Sequence, residues 1–139
     1  MFEYLDEFIQ DNEDDIIIMG GITEDRIHVL EDKLELELHK EIKEFLLRYG
    51  IIMGYGVEIL GCGKGSESSL VRETQRFREF GLEKEYVVIR NVDEWIYCLN
   101  SKNGKISSWD RNEKKHLSKG DSLEKYILDE LMDAKEEWD

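Results

Sequence analysis

The run Gly61-Cys62-Gly63-Lys64-Gly65 is where this sequence comes nearest to a chemical motif. Glycine-rich turns around a lysine can present backbone N–H groups to a phosphate. A nucleoside-triphosphate loop also needs a Ser or Thr hydroxyl directly after the lysine to reach Mg²⁺, and Gly65 stands there instead. A dinucleotide fingerprint needs Gly-x-Gly-x-x-Gly. Its third glycine is replaced by Ile59 after Gly54 and Gly56, and by Ser66 after Gly61 and Gly63. Both phosphate motifs fail, so the glycines are expected to serve the backbone, through positive φ or close packing.

The remaining reactive residue types do not assemble into a catalytic pattern. His28 falls on a charged helix, His39 at a helix start and His116 in "RNEKKHLSKG", which reads as a polar loop. No His-Glu-x-x-His or Gly-x-Ser-x-Gly is present. Cys62 and Cys98 have neither CxxC nor Cys/His ligand spacing, so reduced thiols are the economical reading. Cys62 in its glycine loop is the one candidate for an activated thiol, whereas Cys98 lies in an apolar strand and reads as packing. No catalytic, cofactor-binding or metal-ligating residue is therefore assigned, and the chain is expected not to be an enzyme.

Charge narrows the partner classes. Residues 1–50 hold 15 acids against 5 bases, residues 51–120 hold 10 against 12, and residues 121–139 hold 8 against 2. Phosphate contacts need clustered Lys and Arg, so direct nucleic-acid binding is not expected. The longest apolar run, Ile16–Met19, is far short of a membrane span, and the acidic start "MFEYLDEFIQ" lacks the basic region of a signal peptide. A cytoplasmic protein follows from these features, and nothing indicates a homo-oligomer. The acidic ends either solubilise the chain or attract a basic partner. On the second reading, carboxylates near Asp11–Asp15 or in the last helix at Asp129–Asp139 face that partner.

The elements follow from periodicity. Phe2, Leu5, Phe8 and Ile9 predict a short amphipathic helix, and "IIIMGG" a brief extended segment. Thr23 caps a helix with Ile27, Leu30 and Leu34 on one face. Ile42, Phe45, Leu46 and Tyr49 predict a further helix that Gly50 closes. Val57–Leu60 is a strand candidate, and a helix spans about Ser68 to Phe80 with Leu70 or Val71, Thr74 and Phe77 inward. "YVVIR" (86–90), "WIYCLN" (95–100) and "ISSWD" (106–110) predict strands, the last two joined by a hairpin at Asn103-Gly104. Asp121 or Ser122 starts the last helix, with Glu124 completing a capping box from Asp121 and a buried stripe of Leu123, Ile127, Leu131, Ala134 and Trp138. Strands and helices do not alternate regularly, which predicts one α+β domain over residues 1–139 with a mostly antiparallel sheet.

The ordered set "ITEDRIHVLEDKLELELHKEIKEFLLRYG", "VEILGCG", a Thr–Arg helix, "YVVIRNVDEWIYCLN" and "GKISSWD" resembles the SUKH superfamily over about residues 22–132. These are small bacterial immunity proteins related to fungal Smi/Knr cell-wall-assembly regulators. The resemblance implies that Gly61 and Gly63 form the tight turn ending the first main strand. One departure is Leu38-His39, where the family usually carries Leu-Pro at the start of its second helix. It further implies a protein that neutralises a cognate toxin domain, often a nuclease, by covering its active or nucleic-acid-binding surface. The alternative implied is a regulatory interaction scaffold of the Smi/Knr type.

The partner-binding surface is expected to include Asp93, Glu94, Tyr97, Trp109 and Asp110. Asp93-Glu94 falls in a turn between strands, where side chains reach solvent. Trp109-Asp110 ends the hairpin strand and sets an aromatic anchor beside a carboxylate. The competing reading makes Trp109 a core residue and Asp110 a turn cap. Trp95 and Tyr97 are open to the same two readings.

Overall fold

A computed structural model describes residues 1–65, 67–93 and 95–138. The chain runs α1 (Glu3–Asp11), β1 (Ile16–Ile18), α2 (Glu24–Leu34), α3 (Lys40–Arg48), β2 (Ile52–Gly54), β3 (Val57–Ile59) and α4 (Ser69–Arg78). It then forms β4 (Tyr86–Val92), β5 (Trp95–Asn100), β6 (Ile106–Asp110), β7 (His116–Gly120) and α5 (Leu123–Glu136). Both sheets are antiparallel: a small one ordered β1-β2-β3 and a meander ordered β4-β5-β6-β7. Leu60 N–H donates to Ile89 O at 2.9 Å and ties the two together. This is the expected α+β architecture.

Side-chain caps set most helix starts. Thr23, Ser68 and Ser122 each accept from the backbone N–H three residues on, and His39 Nδ1 accepts from Glu41 N–H at 3.2 Å. His39 thus does by hydrogen bonding what a proline would do by fixing φ. Glu124 does not close a capping box. Its carboxylate instead accepts from Tyr4 and Leu5 N–H at 3.0 and 3.1 Å, capping α1 from α5. This long-range use of the acid could not be read from local spacing.

The glycine run turns out to be a docking point. Gly50, at φ 73°, follows α3, and its carbonyl accepts from Cys62 N–H at 3.0 Å. A Cβ on Gly61 would lie 1.8 Å from that same oxygen. Gly61 O in turn accepts from Ser68 Oγ at 2.8 Å and from Leu70 N–H at 3.0 Å, anchoring the start of α4. Gly61 is therefore required by close approach rather than by its φ, whereas Gly65 takes a left-handed φ of 69° in open space.

Two local expectations need correction. The polar stretch around His116 is an edge strand, β7, with His116 opposite Trp109 and Leu117 opposite Ser108. Its sequence lacks an apolar, β-branched pattern because every residue of this edge strand after His116 is exposed to solvent. Trp138 leaves the buried stripe because α5 ends at Glu136, and it stands 58% exposed, edge-on to Tyr55 at 6.0 Å. The β5–β6 hairpin forms where Asn103-Gly104 places it, with Gly104 at φ 76° and Asn103 Oδ1 accepting from Lys105 N–H at 2.9 Å.

The meander has two unlike faces. On one, Ile96, Cys98 and Trp109 pack under α4, with Phe77 edge-on to Trp109 at 6.3 Å. On the other, α5 covers only the end nearest Leu99 and Ile106, where Tyr126 meets Tyr97 at 5.4 Å. A bulge between Val88 and Arg90 lets Thr74 Oγ1 accept from Val88 N–H at 2.9 Å. The extra residue reverses the alternation, so Arg90 pairs with Tyr97 on the α5 side.

Candidate partner-binding groove

Beyond the reach of α5, the outer face of the meander is open. Its registers set Arg90, Tyr97, Ser108 and Leu117 in one row and Val92, Trp95 and Asp110 in the next. A groove of about 390 Å³ lies over these rows, with Trp95, Tyr97 and Leu117 among its floor and Asp110, Glu113, Lys115 and Lys119 among its rim. Trp95 is 43% and Leu117 65% exposed, so this face presents apolar surface to solvent. Lys119 also lines a second groove, of about 360 Å³, whose wall is the acidic side of α5: Asp129, Glu130 and Asp133. The two grooves share Lys119 as a common lining residue.

Arg90 holds the junction together. Its guanidinium lies 5.7 Å from the centre of the Tyr97 ring, and Nη1 donates to Glu130 Oε2 at 2.5 Å. Burial pushes the Tyr126 hydroxyl far above the ordinary phenol range, with Glu130 reinforcing the effect and Arg90 opposing it. Tyr126 is thus a neutral wall of the groove at any physiological pH.

The expected binding residues divide. Tyr97 is half-buried on the groove floor, and Asp110 lies half-buried at the rim with Oδ1 accepting from Asn112 N–H at 2.6 Å. Asp93 is exposed at the β4–β5 turn with φ 55°, and Glu94 lies outside the described residues. Trp109 is the correction: it is 1% exposed on the opposite face and belongs to the core. The strand register explains this, because adjacent residues Trp109 and Asp110 must point to opposite sides. The exposed aromatic beside Asp110 is instead Trp95, its cross-strand partner. Leu117 went unrecognised because β7 itself did, and finding that strand requires its pairing with β6.

Other reactive groups are built into the structure. Cys62 and Cys98 are both buried thiols, and burial pushes the Cys98 thiol up to about 12. His116 reaches Ser107 Oγ at 2.7 Å through Nδ1 and Glu83 Oε1 at 3.0 Å through Nε2. This chain of groups has the residue types of a hydrolytic triad. Ser107, however, is 7% exposed, and the imidazole is stacked on Tyr86 at 4.1 Å, so the hydroxyl is packed away from any substrate. It reads as a clasp fastening β7 to the β4 entry. Among the described residues, no three His, Cys, Asp or Glu side chains gather into a metal site, and no helix is long and apolar enough to cross a membrane.

Comparison with known proteins agrees with this architecture. A family model described as SUKH_5, SMI1-KNR4 cell-wall, matches residues 1–132, which adds α1 and β1 to the stretch that carries the sequence resemblance. Among solved structures, a protein from Pseudomonas syringae pv. tomato is similar over 84% of this chain and 87% of its own, with a TM-score of 0.70 and 19% identity. At that identity the likeness bears on the fold alone.

Proposed function

Because the chain belongs to the SUKH (SMI1-KNR4) family, we propose that it is a non-catalytic immunity protein that binds and neutralises a cognate toxin domain in the cytoplasm. The observation that carries the reading is the open half of the meander's outer face, where exposed Trp95 and Leu117 share a groove with Asp110 and Glu113. Interfaces favour this combination of aromatic anchor and polar rim. A nuclease must hold phosphates with basic residues, so a chain with a net charge of −14 is drawn to the same surface and can cover it. The mechanism is occlusion of the toxin's active site or nucleic-acid groove.

A regulatory scaffold of the Smi/Knr type is the second reading, favoured by the cell-wall description of the matching family model. It would use the same groove without protecting against a toxin. Co-expression with the protein encoded immediately upstream separates the two. Rescue of growth supports immunity; unrelieved toxicity, or no toxicity at all, favours the scaffold. With a toxin in hand, the association rate should fall as salt rises, since the screening length shrinks from about 30 Å at 0.01 M to about 8 Å at 0.15 M. A salt-independent rate removes electrostatic steering from the mechanism.

A further inference from the structure

The outer face of the meander already holds one guanidinium. Arg90 lies over Tyr97 and meets Glu130, so a flat cation sits between an aromatic ring and a carboxylate. One row along the same face, Trp95 and Asp110 are cross-strand partners, with Glu113 on the same groove. Ring and carboxylate recur there, but among the described residues no cation is stacked on Trp95 or paired with Asp110. Among the described residues the Asp110 carboxylate accepts only the Asn112 N–H, through Oδ1, and neither Asp110 nor Glu113 is in an ion pair. Trp95, 43% exposed, has no ring or cation partner among them either.

We propose that Trp95, Asp110 and Glu113 form the receptor for a single arginine side chain of the protein partner. The inference rests on reading this groove as the partner surface. A guanidinium stacks flat on an indole while its N–H fork meets a carboxylate, and a compact, strongly hydrated ammonium does this less well. Asp110 Oδ2 and the Glu113 carboxylate are the acceptors left for that fork. Lys115 and Lys119 line the same groove and repel a run of cations, so the groove takes one arginine rather than a polybasic segment. Trp95 supplies the selectivity for arginine, and Asp110 with Glu113 the charge.

The test uses N-acetyl-arginine amide as probe and N-acetyl-lysine amide as comparison, followed by ¹H–¹⁵N spectra of the full chain. The arginine analogue should shift the Trp95 indole N–H and the Asp110 amide in a saturable way, with the lysine analogue about two- to fivefold weaker. Asp110→Asn keeps the oxygen that accepts from Asn112 but removes the charge, so it should weaken binding without loosening the turn. Trp95→Ala should do likewise, and Asp14→Asn in the N-terminal acidic run should change nothing. Shifts spread evenly over the acidic surface, or equal binding by wild type, Asp110→Asn and Trp95→Ala, overturn the proposal. The readout needs no toxin: a positive result beside failed growth rescue sinks the immunity reading and leaves the arginine site standing. Growth rescue with no arginine shift does the reverse.

Discussion

Trp95 and Trp109 occupy neighbouring strands and face opposite sides of one sheet, the first opposite Asp110 and the second opposite Ile96. One is 43% exposed and the other 1%. Removing them should therefore have different consequences. Trp109→Ala leaves a cavity against Phe77 and should cost about 3–5 kcal/mol in urea unfolding. Trp95→Ala should cost under about 1 kcal/mol, as expected of a partly exposed side chain away from the core. Equal costs would mean that Trp95 is packed as well.

The backbone contact at Gly61 makes a second prediction. Gly61→Ala places a Cβ 1.8 Å from Gly50 O, a backbone atom that cannot swing aside, so the α3–α4 junction must open. A loss of more than about 3 kcal/mol is expected, at the severe end for single substitutions. Gly65→Ala meets only the strain of positive φ, in open space, and should cost about 1 kcal/mol. Thermal melts of both variants check this, and ATP should not raise the melting temperature of the wild type.

Glu83 gives the pH dependence. Burial pushes its carboxyl up, but the hydrogen bonds from His116 and from its own backbone outweigh that, and the net shift is downward. A depressed folded-state value stabilises the protein above the unfolded carboxylate range, near pH 4.3, and that stability is lost as pH falls through the folded value. Because the side chain is 49% exposed, solvent screening limits the contribution to less than about 1 kcal/mol. Glu83→Gln should therefore be slightly less stable than wild type at pH 7, and the gap should close as pH falls below the ordinary carboxylate range. Urea titrations at several pH values would read it, and a gap that widened in acid would refute the assignment.

The cysteines should be inert while the chain is folded. A thiol held at about 12 carries almost no thiolate at pH 8, so Cys98 should resist a thiol-specific reagent in native buffer. Cys62, equally buried, should be shielded by access alone. Both should react once urea unfolds the chain. Rapid labelling of Cys62 in the native state would revive the activated-thiol reading of the glycine loop.

Much of the fold was legible because periodicity and caps are local. The stripes of α2, α3 and α4, the Thr23 cap, and the three strands from Tyr86 to Asp110 all appear where the spacing places them. The failures share a physical cause, which is dependence on distant partners. β7 is a strand because β6 pairs with it, and Glu124 caps a helix 119 residues away in sequence. The groove was half legible. Asp110 and Tyr97 were readable as polar-aromatic candidates, but choosing Trp95 over Trp109 required knowing which parity faces α4.

The partial cover that α5 gives to the meander has a consequence for how such a chain can change. Substitutions at Trp95, Ser108, Leu117 or Asp110 alter the groove without touching Ile96, Cys98 or Trp109, which point the other way. Alternation along three strands thus keeps the residues that determine folding apart from those that could determine recognition. New partner preferences can be sampled one residue at a time while the margin of stability stays almost untouched. A lineage pressed by a changing opponent could rewrite this face repeatedly and never have to reinvent the fold beneath it.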